Sequence, residues 1–313
     1  MSVLPRTESA FAELVEPFRR ELHLHCYRIV GSLADADDLV QETFLAAWRG
    51  LGEFEGRSSV RTWLYRIATN RCLNALRAVS RRPEQAPKLL EPTRMGEPVW
   101  LQPYPDAMLD PVTGPEARYE ERESIGLAFT VLLQLLPARQ RAAVVLVDVL
   151  GFRLAEAAEM LDSTAVAVKG MLARARSTLD AQRDVPPQAG GAREREVAGL
   201  FAAALAEGDT DAIVSLLTDD AWLTMPPLPH EYYGPVAIGE FLRDRALARG
   251  VALRPVPTRA NGQPAFGCYL PTTDGIARPA GIMVLTVVEA GVAAITWFHD
   301  TSVFPYFGLP RWV

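Results

Sequence analysis

Seven arginines, at positions 57, 61, 66, 71, 77, 81 and 82, crowd the stretch from Arg57 to Arg82, which holds no Asp or Glu in a chain whose formal net charge is -6. Guanidinium groups at this density suit a polyanion, because they fork onto phosphates and stack on rings. Immediately upstream the charge reverses. Asp37, Asp38, Gln41 and Glu42 share the outward side of an amphipathic helix whose apolar side carries Leu39, Val40, Thr43, Phe44 and Ala47, with a cap in the Asp35–Asp38 region. Such a surface is either a solvated helix face or a dock for a basic partner.

The arginine segment is itself helical. Ser58 or Ser59 can cap a helix running to about Val79. At ~100° per residue, Val60, Leu64 and Ile67 gather on one side, while Arg66, Asn70 and Arg77 lie within about 40° of one another on a second. Trp63 falls between the two groups. Arg57, Arg61, Trp63, Arg66, Asn70 and Arg77 together form a candidate surface for a single strand, with bases stacking on the ring and phosphates meeting the cations. The competing reading of Trp63 is a core side chain.

A second nucleic-acid signal starts at Leu135: LLPARQRAAVVLVDVLGFRLAEAAEMLDSTAVAVKGMLARARSTL, a helix, a glycine break at Gly151, a short Ala-rich helix, a turn and another helix. This is a helix-turn-helix pattern, with Ala155, Ala158 and Leu161 packing one helix and Val168, Leu172, Ala175 and Leu179 the next. Ser163 or Thr164 caps the recognition helix and aims its first turn at a groove or phosphate. The face opposite the packing stripe is mostly small and apolar, so Lys169, Arg174 and Arg176 are expected to hold phosphates more than to choose bases.

With 313 residues and 49% hydrophobic side chains, the chain should bury two or three cores. Eight prolines between Pro83 and Pro115 read as an extended linker, and DVPPQAGGA, from Asp184 to Ala192, as a flexible joint. The expected organisation is therefore 1–82, a linker over 83–115, a helix-turn-helix unit over 116–183, a joint over 184–192 and a last unit over 193–313. Residues 1–185 carry 23 Lys/Arg and 25 Asp/Glu, so the protein is not a polybasic coat for DNA, and a larger partner is expected to assist. Cys26, Cys72 and Cys268 are too few and scattered for a disulfide framework, and no apolar run approaches a membrane span, so a reduced, cytoplasmic protein without membrane contact is expected. His23, His25 and Cys26 offer metal-type ligands, but neighbouring helical residues point apart. No phosphate-binding loop, nucleophile elbow or zinc-protease helix occurs, so neither a metal nor a cofactor is expected.

The runs DADDLVQETFLAAW, RTWLYRIATNRCLNALR, and LPARQRAAVVLVDVLGF followed by a helix-turn-helix ending LARAR resemble the ECF class of bacterial RNA polymerase sigma factors, over about residues 8–182. The resemblance implies two all-α sigma domains. Asp37, Asp38, Gln41 and Glu42 would dock the clamp helices of the polymerase largest subunit. The loop from Glu53 to Ser58 and the helix bearing Arg61, Trp63, Arg66, Asn70 and Arg77 would hold the minus-ten element as a single strand, and the helix-turn-helix would sit on the minus-thirty-five duplex. Where the class usually has a TVKSR-like run, this chain has AVKGM at Ala167 to Met171, which puts strong minus-thirty-five specificity in doubt.

The last unit resembles the cone-shaped SnoaL-like domains of the nuclear-transport-factor-two superfamily, an α+β fold with helices near Val197–Glu207 and to Leu217, then strands from Ala221. By that resemblance Trp222, Met225, His230, Tyr232, Trp297 and His299 are a candidate pocket for a small-molecule ligand. His299 and Asp300 invite acid/base chemistry, but adjacent strand residues face opposite ways, so no catalytic residue is assigned. The expectation is a sigma factor, not an enzyme, that binds core RNA polymerase and promoter DNA and is modulated by its last domain. The alternatives are a stand-alone helix-turn-helix regulator and a SnoaL-like enzyme fused to a DNA-binding module.

Overall fold

Ser32, not the aspartates, starts the acidic helix. In the computed structural model, which describes residues 7–54, 56, 58–78, 89–109, 126–180 and 191–313, Ser32 sits in extended backbone and its hydroxyl accepts the Asp35 N–H at 3.2 Å. Helices α1 (Glu8–Val15), α2 (Arg19–Val30), α3 (Leu33–Gly50) and α4 (Val60–Ala78) follow one another in the first domain. Ser59 caps α4, its Oγ accepting the Thr62 N–H at 3.0 Å. Leu22, Cys26 and Ile29 of α2, Leu39, Val40 and Ala47 of α3, and Leu64, Ala68 and Cys72 of α4 are buried together at helical spacing.

His25 is wholly buried, its Nε2 is 2.9 Å from Thr69 Oγ1, and its ring meets the Tyr65 edge at 4.8 Å. Desolvation, then the nearby charges of Arg28 and Arg61, pushes its pKa from 6.5 down to about 3. The unfolded chain therefore binds a proton that the folded chain refuses. The stability contributed is complete above pH 6.5 and is lost as pH falls toward about 3. We expect the unfolding free energy of this unit, from urea melts, to decline over that interval at up to ~1.4 kcal/mol per pH unit, and His25→Gln to flatten the decline.

The helix-turn-helix domain comprises α5 (Leu127–Leu135), α6 (Ala138–Val144) running into a π-turn over Val145–Val149, α7 (Leu154–Met160) and α8 (Ala165–Asp180). Thr164 Oγ1 accepts the Ala167 N–H at 3.2 Å, so Thr164 is the cap of α8. Val168, Leu172 and Ala175 are buried as the spacing implies, whereas Ala155 is exposed and Ala157, Ala158 and Met160 carry the packing of α7. Helices α1 to α8 belong to one unit. Gln134 Nε2 donates to Arg28 O at 3.1 Å, and Phe152 meets Tyr65 edge-on at 5.2 Å.

The second unit joins described residues 89–107 to 191–313. Helices α9 (Gly191–Glu207), α10 (Thr210–Ser215) and α11 (Gly234–Arg249) lie on one face of a seven-stranded sheet ordered β1-β3-β2-β7-β6-β5-β4. The strands are β1 (Arg94–Met95), β2 (Leu217–Met225), β3 (Leu228–Tyr233), β4 (Arg254–Ala260), β5 (Gln263–Pro271), β6 (Ala277–Val288) and β7 (Gly291–Phe298). All neighbours are antiparallel except β2 and β7. Alternation turns Leu223, Met225, Tyr232, Phe266, Cys268, Met283, Leu285, Ile295 and Trp297 toward Phe201 and Phe241 of the helices, building the core.

Of the proline-rich segment read as an extended linker, residues 89–107 are built into this second unit. Arg94 and Met95 pair with Glu231 and His230, and Gly96 N–H donates to Pro229 O at 2.7 Å. Tyr104 is completely buried, its N–H donating to Asn261 Oδ1 and its carbonyl accepting the Asn261 N–H, both at 2.8 Å. Most of the expected joint at 184–192 lies outside the described residues. Among the described residues no helix is long and apolar enough to cross a membrane.

Candidate nucleic-acid interface

Helix α4 turns Trp63, Arg66, Ile67, Asn70, Arg71 and Asn74 to one side, and with Ala46 of α3 they line an open pocket of about 460 Å³. Phe54, in the loop before α4, packs its ring 4.7 Å from that of Trp63 and holds the indole half-buried at the rim. The pocket thus has an aromatic wall, two guanidinium groups and two carboxamides, a set that can stack on a base, bond its edge and pair with a phosphate. Three of the expected strand-binding residues, Trp63, Arg66 and Asn70, are brought together here.

The others fare differently. Arg61 points away from the pocket: its Nε donates to Glu21 Oε2 at 2.9 Å, and its guanidinium lies over Tyr65 at 4.8 Å and Phe152 at 5.2 Å. Burial works against the Arg61 charge, but Tyr65 and Glu21 outweigh it and raise its pKa. Arg77 is exposed near the end of α4, donating to Asn74 Oδ1 at 3.3 Å. Arg57 lies outside the described residues. Arg71 and Asn74, not expected from the sequence, complete the pocket. Arg66 also reaches Asp162 at 3.4 Å, but with side chains 54% and 68% exposed the pair is worth little and leaves Arg66 available.

On α3, Asp38, Gln41 and Glu42 are exposed as expected, and Glu42 Oε2 is 3.4 Å from Arg71 Nη1, so the acidic surface touches the pocket. Asp37 lies 3.4 Å from His23 Nε2, a ring whose pKa desolvation lowers despite the attraction of Asp37. Leu45 and Trp48 are exposed in the same stripe, 56% and 38%, adding an apolar centre to a charged patch. Their spacing from Gln41, at four and seven residues, was the signal available in the sequence.

On α8, Lys169 and Arg174 project into solvent, Ser163 precedes the Thr164 cap, and Val166 is 83% exposed at the first turn. Arg176 is held by a two-point ion pair with Asp148, at 2.6 and 3.0 Å, which raises its pKa.

In the second unit Met225, Tyr232 and Trp297 belong to the core beneath the helices, and His299 stacks on Trp297 at 5.0 Å. His230 shares their strand face by alternation. Trp222 does not: it points to the opposite face, against Tyr233 at 4.7 Å and beneath Arg94 at 4.8 Å. Asp300 is occupied capping Ser302 N–H at 2.9 Å and accepting from Gln102 at 2.6 Å, so it forms no dyad with His299.

The sigma-70 region 2 family matches residues 14–82, and the sigma-70 region 4 family residues 127–179. The chain is 40% identical over 319 residues to ECF RNA polymerase sigma factor SigG of Mycobacterium tuberculosis, spanning 96% of this chain and 84% of that protein. It is 29% identical to SigJ of the same species, over 90% of this chain and 89% of that one. The crystal structure of the Mycobacterium tuberculosis extracytoplasmic function sigma factor SigJ superposes with a TM-score of 0.62 at 27% identity, covering 96% of this chain and 99% of that one, the last domain included.

Proposed function

Because the chain belongs to the ECF sigma factors of bacterial RNA polymerase, binding core polymerase and promoter DNA to direct initiation, we propose the following division of labour among its surfaces. The pocket at Trp63, Arg66, Asn70 and Arg71 receives an unpaired minus-ten base and its flanking phosphates. The α3 stripe of Asp38, Gln41, Glu42, Leu45 and Trp48 docks core polymerase, carboxylates guiding the approach and the two apolar side chains supplying buried area. Lys169 and Arg174 hold duplex phosphates, with little base reading by the small residues of α8. The SnoaL-like domain acts without catalysis, as the engaged carboxylate of Asp300 suggests.

The regulatory part of the proposal rests on one observation: residues connecting the two sigma domains are a strand and strap of the SnoaL-like sheet. Tyr232 Oη donates to Leu90 O at 2.7 Å, Arg94 pairs with Glu231 at 2.6 Å, and Asp106 accepts from Gly262 N–H at 2.8 Å and Arg259 Nε at 3.1 Å. A connector bonded at these points cannot also extend to let the two sigma domains separate. The SnoaL-like domain thereby sets how far the promoter-binding domains can spread, and any effector acts only through its difference in affinity for strapped and released forms.

Breaking the strap tests this. Tyr104→Ser combined with Asp106→Ala removes a buried ring and a two-donor carboxylate while leaving both sigma domains untouched. Promoter-specific transcription with core polymerase should rise at least about fivefold, the effect of ~1 kcal/mol. Unchanged or lower output from a folded variant refutes linker control.

A further inference from the structure

We infer that α8 reads the 5-methyl group of thymine in the minus-thirty-five duplex, with Val166 as the side chain that sets this preference. The inference rests on the assignment of α8 to duplex DNA made above and adds what its groove face can distinguish. At ~100° per residue, Val166, Gly170, Ala173 and Ser177 fall within about 40° of one another, opposite the stripe of Val168, Leu172 and Ala175 that is buried. Lys169 and Arg174, both exposed, lie on either side of that face, about 140° apart around the helix. Cations so placed reach the two phosphate walls of a groove, and the face between them meets its floor.

Val166 is 83% exposed in the first turn, the part of a recognition helix that reaches base edges. Its backbone is fixed by the Thr164 cap, whose Oγ1 accepts the Ala167 N–H at 3.2 Å and whose carbonyl accepts the Val168 N–H at 3.0 Å. β-Branching then leaves the isopropyl group few orientations. Gly170, one turn further on, has no side chain, and a Cβ built there would find Arg174 Nη1 at 3.6 Å, an ordinary contact. The glycine leaves a notch beside Val166, bordered by the Arg174 guanidinium.

In the major groove, guanine, adenine and cytosine are told apart by donors and acceptors, which a guanidinium, carboxamide or carboxylate would have to match. Val166, Gly170 and Ala173 carry no such group. Arg176 is held by Asp148, and Ser177 lies about three turns beyond Val166. Thymine alone presents an apolar group there, its C5 methyl. Against the Val166 side chain that methyl loses water on contact with carbon, whereas a purine would set its N7 acceptor there without a donor and cytosine a bare C–H. Readout of this kind is weak per base, which agrees with a helix that takes most of its affinity from Lys169 and Arg174.

Holoenzyme formed from core polymerase and the full chain tests this on promoter duplexes selected from a pool randomised across the minus-thirty-five region. Selected sequences should fix an A·T pair at one position. Replacing that thymine by deoxyuridine, which lacks only the methyl, should weaken binding about fourfold, the worth of one buried methyl group. Val166→Ala, which favours the helix and leaves the buried stripe intact, should bind the thymine and deoxyuridine duplexes equally. Lys169→Ala and Arg174→Ala should weaken both duplexes alike and keep the difference between them. No fixed A·T pair, equal binding of both duplexes by the wild-type chain, or a difference that survives in Val166→Ala overturns the proposal. Cation variants that bind as tightly as wild type overturn the assignment of α8 to duplex as well, so failure of that reading is distinguished from failure of methyl readout alone.

Discussion

With Trp63, Arg66 and Asn70 replaced by alanine, holoenzyme should form open complexes two to three orders of magnitude less readily, while its affinity for core polymerase is unchanged. Stacking on one aromatic side chain contributes ~1–3 kcal/mol per base. A charge-assisted hydrogen bond to phosphate adds ~1.5–3 kcal/mol, so losing both accounts for roughly a hundredfold to a thousandfold, with neighbouring sites not strictly additive. These side chains line one pocket, whereas the α3 stripe assigned to the polymerase lies outside the substitutions except through the Arg71 to Glu42 contact, which the variant keeps. Permanganate reactivity of unpaired thymines at a cognate promoter provides the measurement. Arg66→Lys should recover part of the loss and Trp63→Phe most of it, since each keeps the charge or the ring.

Arg141→Met should lower the melting temperature of the sigma unit by roughly 10 °C, the consequence of ~3–5 kcal/mol in a domain pair of this size. Arg141 is 7% exposed and donates to Ile29 O, to Gln134 Oε1 at 2.5 Å, to Gln134 O at 2.8 Å and to Leu136 O at 3.1 Å. Methionine fills the space but leaves buried carbonyls from both sigma domains without donors. Calorimetry should show this transition move while that of the second unit stays, because Ile29, Gln134 and Leu136 all lie in the first unit.

The reading of Arg141 marks the limit of sequence reasoning here. In LPARQR it looks like one more exposed cation, and nothing in local spacing says that Ile29, 112 residues away, needs its proton. Arg61 and Arg176 show the same limit. Their periodicity placed them beside nucleic-acid surfaces, but Glu21 with Phe152 and Asp148 respectively claim them through folding contacts that periodicity does not encode. What periodicity does encode came through in the buried stripes of α3 and α8 and in the Ser59 and Thr164 caps, whereas on α4 only Leu64 of the expected apolar side is buried and Ile67 lines the pocket. Proline content was the least faithful guide. Eight prolines between Pro83 and Pro115 suggested an extended linker, yet the described residues of that segment spend polar groups on β3 and the Asn261 turn, because an extended proline-rich chain is also well suited to an edge strand. Trp222 shows the remaining weakness: one residue of register on a strand decides which face a side chain serves, and a lone aromatic gives no hint of it.

The most direct test is transcription by purified core polymerase on two templates that share one promoter, one fully duplex and one with the minus-ten region held as a mismatched bubble. Wild-type chain should initiate on both, and the Trp63, Arg66 and Asn70 variant should fail on duplex and recover only partially on the bubble, since premelting removes the opening step but not the loss of strand contacts. A variant that opens duplex promoter as well as wild type, or a wild-type chain that binds closed duplex tightly yet never initiates with core polymerase, would contradict the assignment of α4 to strand capture.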